Sequence, residues 1–294
     1  MPAAEVDITD ELVQGLLAAQ HPDLADLPLS LVAFGWDNAI FRLGDDLCVR
    51  LPRRELAAEL VRHEQRWLPS LAPRLPLPIP APLRIGAAAD GYPWAWSVCP
   101  WFDGEVAADS ALASPQREAR RLGEFAAALH RPGPTDVPHS AFFRGAPIDV
   151  LTPRVDENLA VLGFDRADEV DRRWRELLDA APWGGPPLWI HGDLHTANLL
   201  VASGAISAVI DFGDITAADP AVDLAIAWML FGPTERAVFR DAASGGPFPV
   251  DDDMWCRAEA WALHFGILYL LNSADNPRFT RMGAALLANV LDGL

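Results

Sequence analysis

His191-Gly192-Asp193-Leu-His195-Thr-Ala-Asn198-Leu-Leu-Val201-Ala-Ser203-Gly204-Ala-Ile206-Ser-Ala-Val-Ile210-Asp211-Phe-Gly-Asp214 carries more chemical information than any other part of the chain. Leu199 to Val201 and Ile206 to Ile210 are short apolar runs, and Ser203-Gly204 between them suits a two-residue turn, so the pair predicts a β-hairpin. Pairing Ala202 with Ala205 sets the register and places Asp211 opposite Thr196, close to Asn198. A carboxylate and an amide oxygen then meet at the open end of one hairpin. Such a donor set suits a hard cation such as Mg²⁺, which takes oxygen ligands from protein and phosphates together. Asp193 enters the same hairpin five residues before Asn198, in a position to face the ion from the other side.

Transfer of a phosphoryl group needs a cation against the phosphates, a carboxylate to orient the attacking hydroxyl, and a cradle for the nucleotide. Asp193, Asn198 and Asp211 supply the first two. The segment resembles the aminoglycoside phosphotransferase family with its HGDLxxxN motif and, more distantly, the protein kinases. The resemblance implies Asp193 as catalytic base and Asn198 and Asp211 as Mg²⁺ ligands. It further implies an α+β, bilobal protein-kinase-like fold, with a small β-rich N-terminal lobe and a larger helical C-terminal lobe. His191 is expected to buttress the loop, and His195 to support it or to face substrate. Asp219 and Asp223, in Asp219-Pro-Ala-Val-Asp223, are expected to cap and brace the following helix. The alternation His191, Asp193, His195 also suits a hydrolase metal site. The remaining histidines (His21, His63, His130, His139 and His264) form no second cluster at ligand spacing, which argues against that reading.

The rest of the pattern agrees with two lobes, over residues 1–102 and 103–294. A helix over 8–20 precedes β-rich runs at 29–34, 39–43 and 47–51, then a helix over 55–69 and strands at 83–86 and 94–101. The proline-rich 73–82 is expected to run extended over the surface. After Asp103-Gly104 the pattern turns helical, with breaks at Gly232-Pro233, Gly245-Gly246-Pro247 and Asn276-Pro277. By resemblance the first lobe holds ATP or GTP. Arg50 on the third strand stands where the family carries lysine, and Glu64, with Glu59 in reserve, is its expected partner. Gly35 and Asn38 mark the turn over the phosphates. Aligned on the hinge motif, the carbonyl of Pro100 and the amide of Phe102 would meet the base.

Composition narrows the partners. The chain has 23 basic residues, all arginine, against 41 acidic ones, a net charge of −18, which disfavours nucleic acid and anionic membranes and favours cationic small molecules. Neither a signal peptide nor a membrane span is indicated, and Cys48, Cys99 and Cys256 suit reduced thiols, so the cytoplasm is the expected location. The resemblance makes an aminoglycoside or macrolide-type antibiotic the leading acceptor; the runs 219–232 and Val49 to Arg54 are similar to macrolide phosphotransferases. A choline, homoserine or sugar kinase, or a nucleotide-binding pseudokinase, is the alternative. A monomer or a homodimer is expected.

Overall fold

In the computed structural model of the chain, residues 3–134, 137, 143–273 and 275–293 are described. His139 lies outside them. The chain forms two compact units: residues 1–74, 78–103 and 210–213, and residues 75–77, 104–209 and 214–294.

The first unit opens with α1 (Asp10–Gln20), whose N-terminus is capped by Thr9 through the Leu12 amide. Its five-stranded antiparallel sheet runs in the order β1 (Leu29–Phe34), β2 (Asn38–Leu43), β3 (Leu47–Pro52), β5 (Trp96–Pro100), β4 (Arg84–Gly86). On β2, Ala39, Phe41 and Leu43 point inward and are fully buried, the alternation of a half-buried strand. They pack with Val13, Leu17, Val49, Leu51, Trp96 and Val98 in one core. Helix α2 (Glu55–Leu71) is tied to β5 by Gln65, whose Nε2 donates to the Trp96 carbonyl at 2.9 Å and to Ser97 Oγ at 3.0 Å. The proline-rich segment is not the surface run expected of it. Leu77 and Ile79 are buried, because apolar side chains alternate there with prolines and have an interior to fill.

The second unit holds the short strand β6 (Glu105–Val106) and the helices α3 (Pro115–Leu129), α4 (Ile148–Val161) and α5 (Ala167–Leu177). The strands β7 (Leu188–Ile190), β8 (Leu199–Ala202), β9 (Ala205–Val209) and β10 (Thr216–Ala218) follow. The helices α6 (Ala221–Leu224), α7 (Ile226–Leu230), α8 (Pro233–Ala243), α9 (Asp252–Asn272) and α10 (Pro277–Leu291) complete it. Strands β8 and β9 form the expected hairpin, and Ser203 (φ 50°) and Gly204 (φ 74°) make its turn with the paired positive φ angles of a tight two-residue connection. The register departs from the expectation. Ala202 pairs with Ala205 and Val201 with Ile206, but a bulge then sets Leu200 against Ala208 and Leu199 against Val209. The slip of one residue breaks the ladder that was extrapolated to Thr196 and Asp211. Buried Glu118 of α3 secures the hairpin by accepting the Ile206 amide at 3.0 Å. No helix among the described residues is long and apolar enough to cross a membrane.

Helix α9 passes through the interior, and its His264 is buried with Nδ1 unpartnered among the described residues. Burial, with Arg154 and then Arg144 nearby, pushes its pKa down to about 3. An unfolded chain takes up that proton near pH 6.5, so the folded state loses stability as pH falls from 6.5 toward 3. At pH 5 the loss from this group is about 2 kcal/mol. The urea midpoint is expected to drop between pH 7 and pH 5, and His264→Phe to flatten that drop. An equal slope in the variant would assign the acid sensitivity elsewhere.

Candidate active site

Strand β7 delivers the chain to His191, Gly192 and Asp193. Gly192 adopts φ +83°, and a Cβ there would stand 2.7 Å from the Asp214 carbonyl oxygen, so the turn requires glycine. Asp223 holds this turn from below. Its Oδ2 accepts the His191 amide at 2.8 Å and its Oδ1 the Gly192 amide at 2.9 Å, while His130 Nε2 lies 3.2 Å from Oδ2. Asp223 was expected to brace its own helix; it clamps the His191–Gly192 turn instead, since two buried amides leaving β7 need an acceptor. Asp219 does cap, accepting the Ala221 amide at 3.0 Å, and it also pairs with buried Arg257 at 2.7 Å.

Asp193 is held by four residues. His191 Nδ1 accepts the Asp193 amide at 3.2 Å, and Asn198 Nδ2 donates to the Asp193 carbonyl at 3.0 Å. His195 Nδ1 accepts the Ala197 amide at 3.2 Å, which puts the ring proton on Nε2, 3.5 Å from Asp193 Oδ2. Both histidines therefore use a ring nitrogen to hold the loop. The fourth contact was not legible in the sequence: Arg144 NH2 lies 2.7 Å from Asp193 Oδ1, and its Nε donates to Asp214 Oδ2 at 2.9 Å. Burial alone would raise the Asp193 pKa, but Arg144, then His195 and His191, hold it well below the usual carboxylate range. The group is thus an ionised, acceptor-only carboxylate in a fixed orientation. It can direct a hydroxyl and receive its proton once phosphorus has begun to draw electrons from that oxygen.

The first unit carries a second charged cluster. Arg50 NH1 on β3 lies 3.0 Å from both carboxylate oxygens of Glu64 on α2, and both side chains are buried. Glu59, the reserve partner, pairs with Arg62. Glu64 also accepts the Phe212 amide, and Asp211 acts on both members of the pair. Burial and then the like charge of Asp211 push the Glu64 carboxyl up against the pull of Arg50. One guanidinium thus faces two carboxylates in this cluster. Asp211 itself adopts φ 63°, a left-handed conformation that a non-glycine residue holds only where its surroundings enforce it.

Asn198 uses Nδ2 on the Asp193 carbonyl, which leaves its Oδ1 as an oxygen donor, and Asp211 carries a carboxylate; both are oxygen donors of the kind a hard cation takes. The remaining residues singled out in the sequence lie on the sheet of the first unit. Gly35 donates its amide to the Asn38 carbonyl at 2.8 Å and accepts Arg53 NH1 at 2.9 Å, which closes the turn between β1 and β2. Asn38 Oδ1 is buried without a partner among the described residues. Pro100 pairs with Leu47 at the end of β5, with Cys48 Sγ 3.7 Å from its carbonyl, and half-buried Phe102 follows two residues later.

Comparison with known proteins accords with this arrangement. Residues 28–261 match the phosphotransferase enzyme family APH, and the chain belongs to that family. It is accordingly a kinase-type phosphotransferase. The fold superposes on the GDP complex of aminoglycoside 2'-phosphotransferase-IIIa with a TM-score of 0.73 at 19% identity, over 97% of this chain and 99% of that one. It also superposes on the macrolide 2'-phosphotransferase MphH of Brachybacterium faecium with a TM-score of 0.62 at 24% identity, over 94% and 97%. The expected β-rich N-terminal and helical C-terminal regions are those of this fold. A curated relative, the uncharacterized protein YcbJ of Bacillus subtilis, is 36% identical over 67 residues, 22% of each chain.

Proposed function

We propose that this chain moves the γ-phosphoryl group of ATP or GTP onto a hydroxyl of a small molecule in the cytoplasm, with aminoglycoside and macrolide-type antibiotics as the leading acceptors. The observation that carries the reading is the Asp193 carboxylate, held ionised and oriented by Arg144 at 2.7 Å and His195 at 3.5 Å on a loop locked by Asp223. Solved relatives of the same fold named as aminoglycoside and macrolide 2'-phosphotransferases support it.

Asp193 accepts a hydrogen bond from the acceptor hydroxyl and aims one oxygen lone pair at the γ-phosphorus. As that oxygen bonds phosphorus, the bond to the bridging oxygen of the nucleotide breaks, and the hydroxyl proton passes to the Asp193 carboxylate. Arg50, held by Glu64, steadies the phosphates with a planar fork in place of the family's lysine. Gly35 and Asn38 form the turn over the phosphates, and the Pro100 carbonyl and Phe102 amide address the base. Asn198 and Asp211 are the residues that would hold Mg²⁺, which when bound neutralises charge on the phosphates. Buried, unpaired Cys48 and Cys99 suit a reducing compartment.

Titrating Mg²⁺ against nucleotide binding tests the ligand assignment. Asn198→Ala and Asp211→Ala are each expected to weaken the Mg²⁺-dependent part of nucleotide affinity by about 10-fold, the order of one lost charge-assisted contact. Titration curves that match wild type in both variants would remove these two residues from the metal site.

A further inference from the structure

The proposed reaction uses Arg50 of the run Val49 to Arg54 and gives Arg53 and Arg54 no part. Both residues reach back to the turn between β1 and β2. The Arg53 amide donates to the Asp37 carbonyl at 2.8 Å and its NH1 to the Gly35 carbonyl at 2.9 Å, while Arg54 NH2 donates to Asp37 Oδ1 at 2.6 Å. The junction between β3 and α2 thus grips the turn at Gly35 and again at Asp37.

Packing gives that turn little support. Phe34 and Trp36 are 44% and 60% exposed, so neither side chain is sunk in the core. A cavity of about 380 Å³, lined by residues 4–8, Phe34 and Arg53, adjoins it. A turn with exposed apolar side chains and open space beside it keeps its shape through hydrogen bonds. Arg53 can anchor those bonds because it is itself fixed. It is only 7% exposed, its guanidinium stands 5.4 Å from the Phe34 ring, and its carbonyl accepts the Glu5 amide at 2.9 Å. The Glu5 carboxylate in turn accepts the Glu55 amide at 3.0 Å, at the N-terminus of α2 where Arg54 offers no side-chain cap.

We propose that Arg53 is a positioning residue for the nucleotide: it touches neither nucleotide nor acceptor, and it holds the Gly35 carbonyl so that the turn keeps one shape over the phosphates. Arg54 steadies the same turn through Asp37. The inference rests on the phosphotransferase reading, in which this turn covers the phosphates while Pro100 and Phe102 address the base. Loss of Arg53 therefore weakens the hold on the triphosphate and spares the hold on the nucleoside. Arg53→Met suits the test, because Arg53 Nε is already without a partner among the described residues and methionine adapts to much of the same buried space.

Calorimetric titration of the full chain with ATP and GTP, and with adenosine and guanosine, reads this division. In Arg53→Met, affinity for the triphosphate that wild type prefers is expected to fall about 10-fold, the order of one charge-assisted hydrogen bond, and affinity for its nucleoside to change by less than about twofold. Arg53→Lys, whose ammonium can still donate to the Gly35 carbonyl, is expected to bind the triphosphate within about threefold of wild type. Hydrogen exchange over residues 34–39, followed without nucleotide, is expected to quicken about 10-fold in Arg53→Met and less in Arg53→Lys. Equal losses for triphosphate and nucleoside, unchanged triphosphate affinity, no recovery in Arg53→Lys, or wild-type exchange in Arg53→Met overturns the positioning role alone. Failure of wild type to bind either triphosphate overturns the phosphotransferase reading, and the proposal falls with it.

Discussion

Asp193→Ala is expected to lower kcat by about 10²- to 10⁴-fold while nucleotide affinity changes by less than about threefold. In the proposed reaction the carboxylate faces the acceptor hydroxyl, whereas the nucleotide contacts are assigned to Arg50, Asn198, Asp211 and the β1–β2 turn. The loop itself should survive the change, because it is held by Asp223, His191 and Asn198 through backbone groups and not through the Asp193 side chain. Arg144 then keeps Asp214 as a partner at 2.9 Å and is not left as an unpaired buried charge. Steady-state kinetics beside nucleotide titration separate the two quantities.

Arg50→Ala carries the second large effect. It removes the charge-assisted phosphate contact proposed for Arg50 and leaves Glu64, buried beside Asp211, without its counter-charge. The combined penalty is about 2 to 4 kcal/mol, or roughly a 30- to 1000-fold loss of activity. Arg50→Lys is the sharper comparison: it restores a point charge and loses the planar guanidinium, whose NH1 lies 3.0 Å from both Glu64 oxygens. Activity between that of the alanine variant and wild type is expected. Full activity in Arg50→Ala would place the phosphate grip elsewhere.

Local patterns made much of this legible. The β1–β3 meander, α2, the hairpin turn at Ser203-Gly204 and the helix breaks at Gly232-Pro233 and Asn276-Pro277 all follow from periodicity and turn chemistry within a few residues. The Arg50–Glu64 pairing was anticipated through the family resemblance, since Glu64 best fits the family's spacing on the helix after the third strand. The register of β8 and β9 beyond the turn could not. A bulge at Ser207 costs no apolar residue, so the alternation Ile206, Ala208, Val209 gives little warning of it.

What stayed hidden depends on long-range approach. Asp223 lies 32 residues from His191, and nothing in its own helix signals that it serves the amides of His191 and Gly192. Arg144 sits 70 residues from Asp214 in a stretch without periodic signal. For Asp223 a faint signal exists: a buried acidic residue in the run Ala221-Val222-Asp223-Leu224 needs a partner that its own short helix cannot provide.

The central claim is that Asp193 directs the γ-phosphoryl group onto an acceptor hydroxyl. Its most direct test follows labelled phosphate from the nucleotide with wild type and Asp193→Ala, offering erythromycin, kanamycin, choline and sugars as acceptors, and measures nucleotide affinity on the same samples. The predicted result is a phosphate monoester on one acceptor with wild type, its near-complete loss in Asp193→Ala, and nucleotide affinity retained in both. Equal ester formation by the two proteins, or a loss of nucleotide binding in Asp193→Ala as large as the loss of transfer, would contradict it.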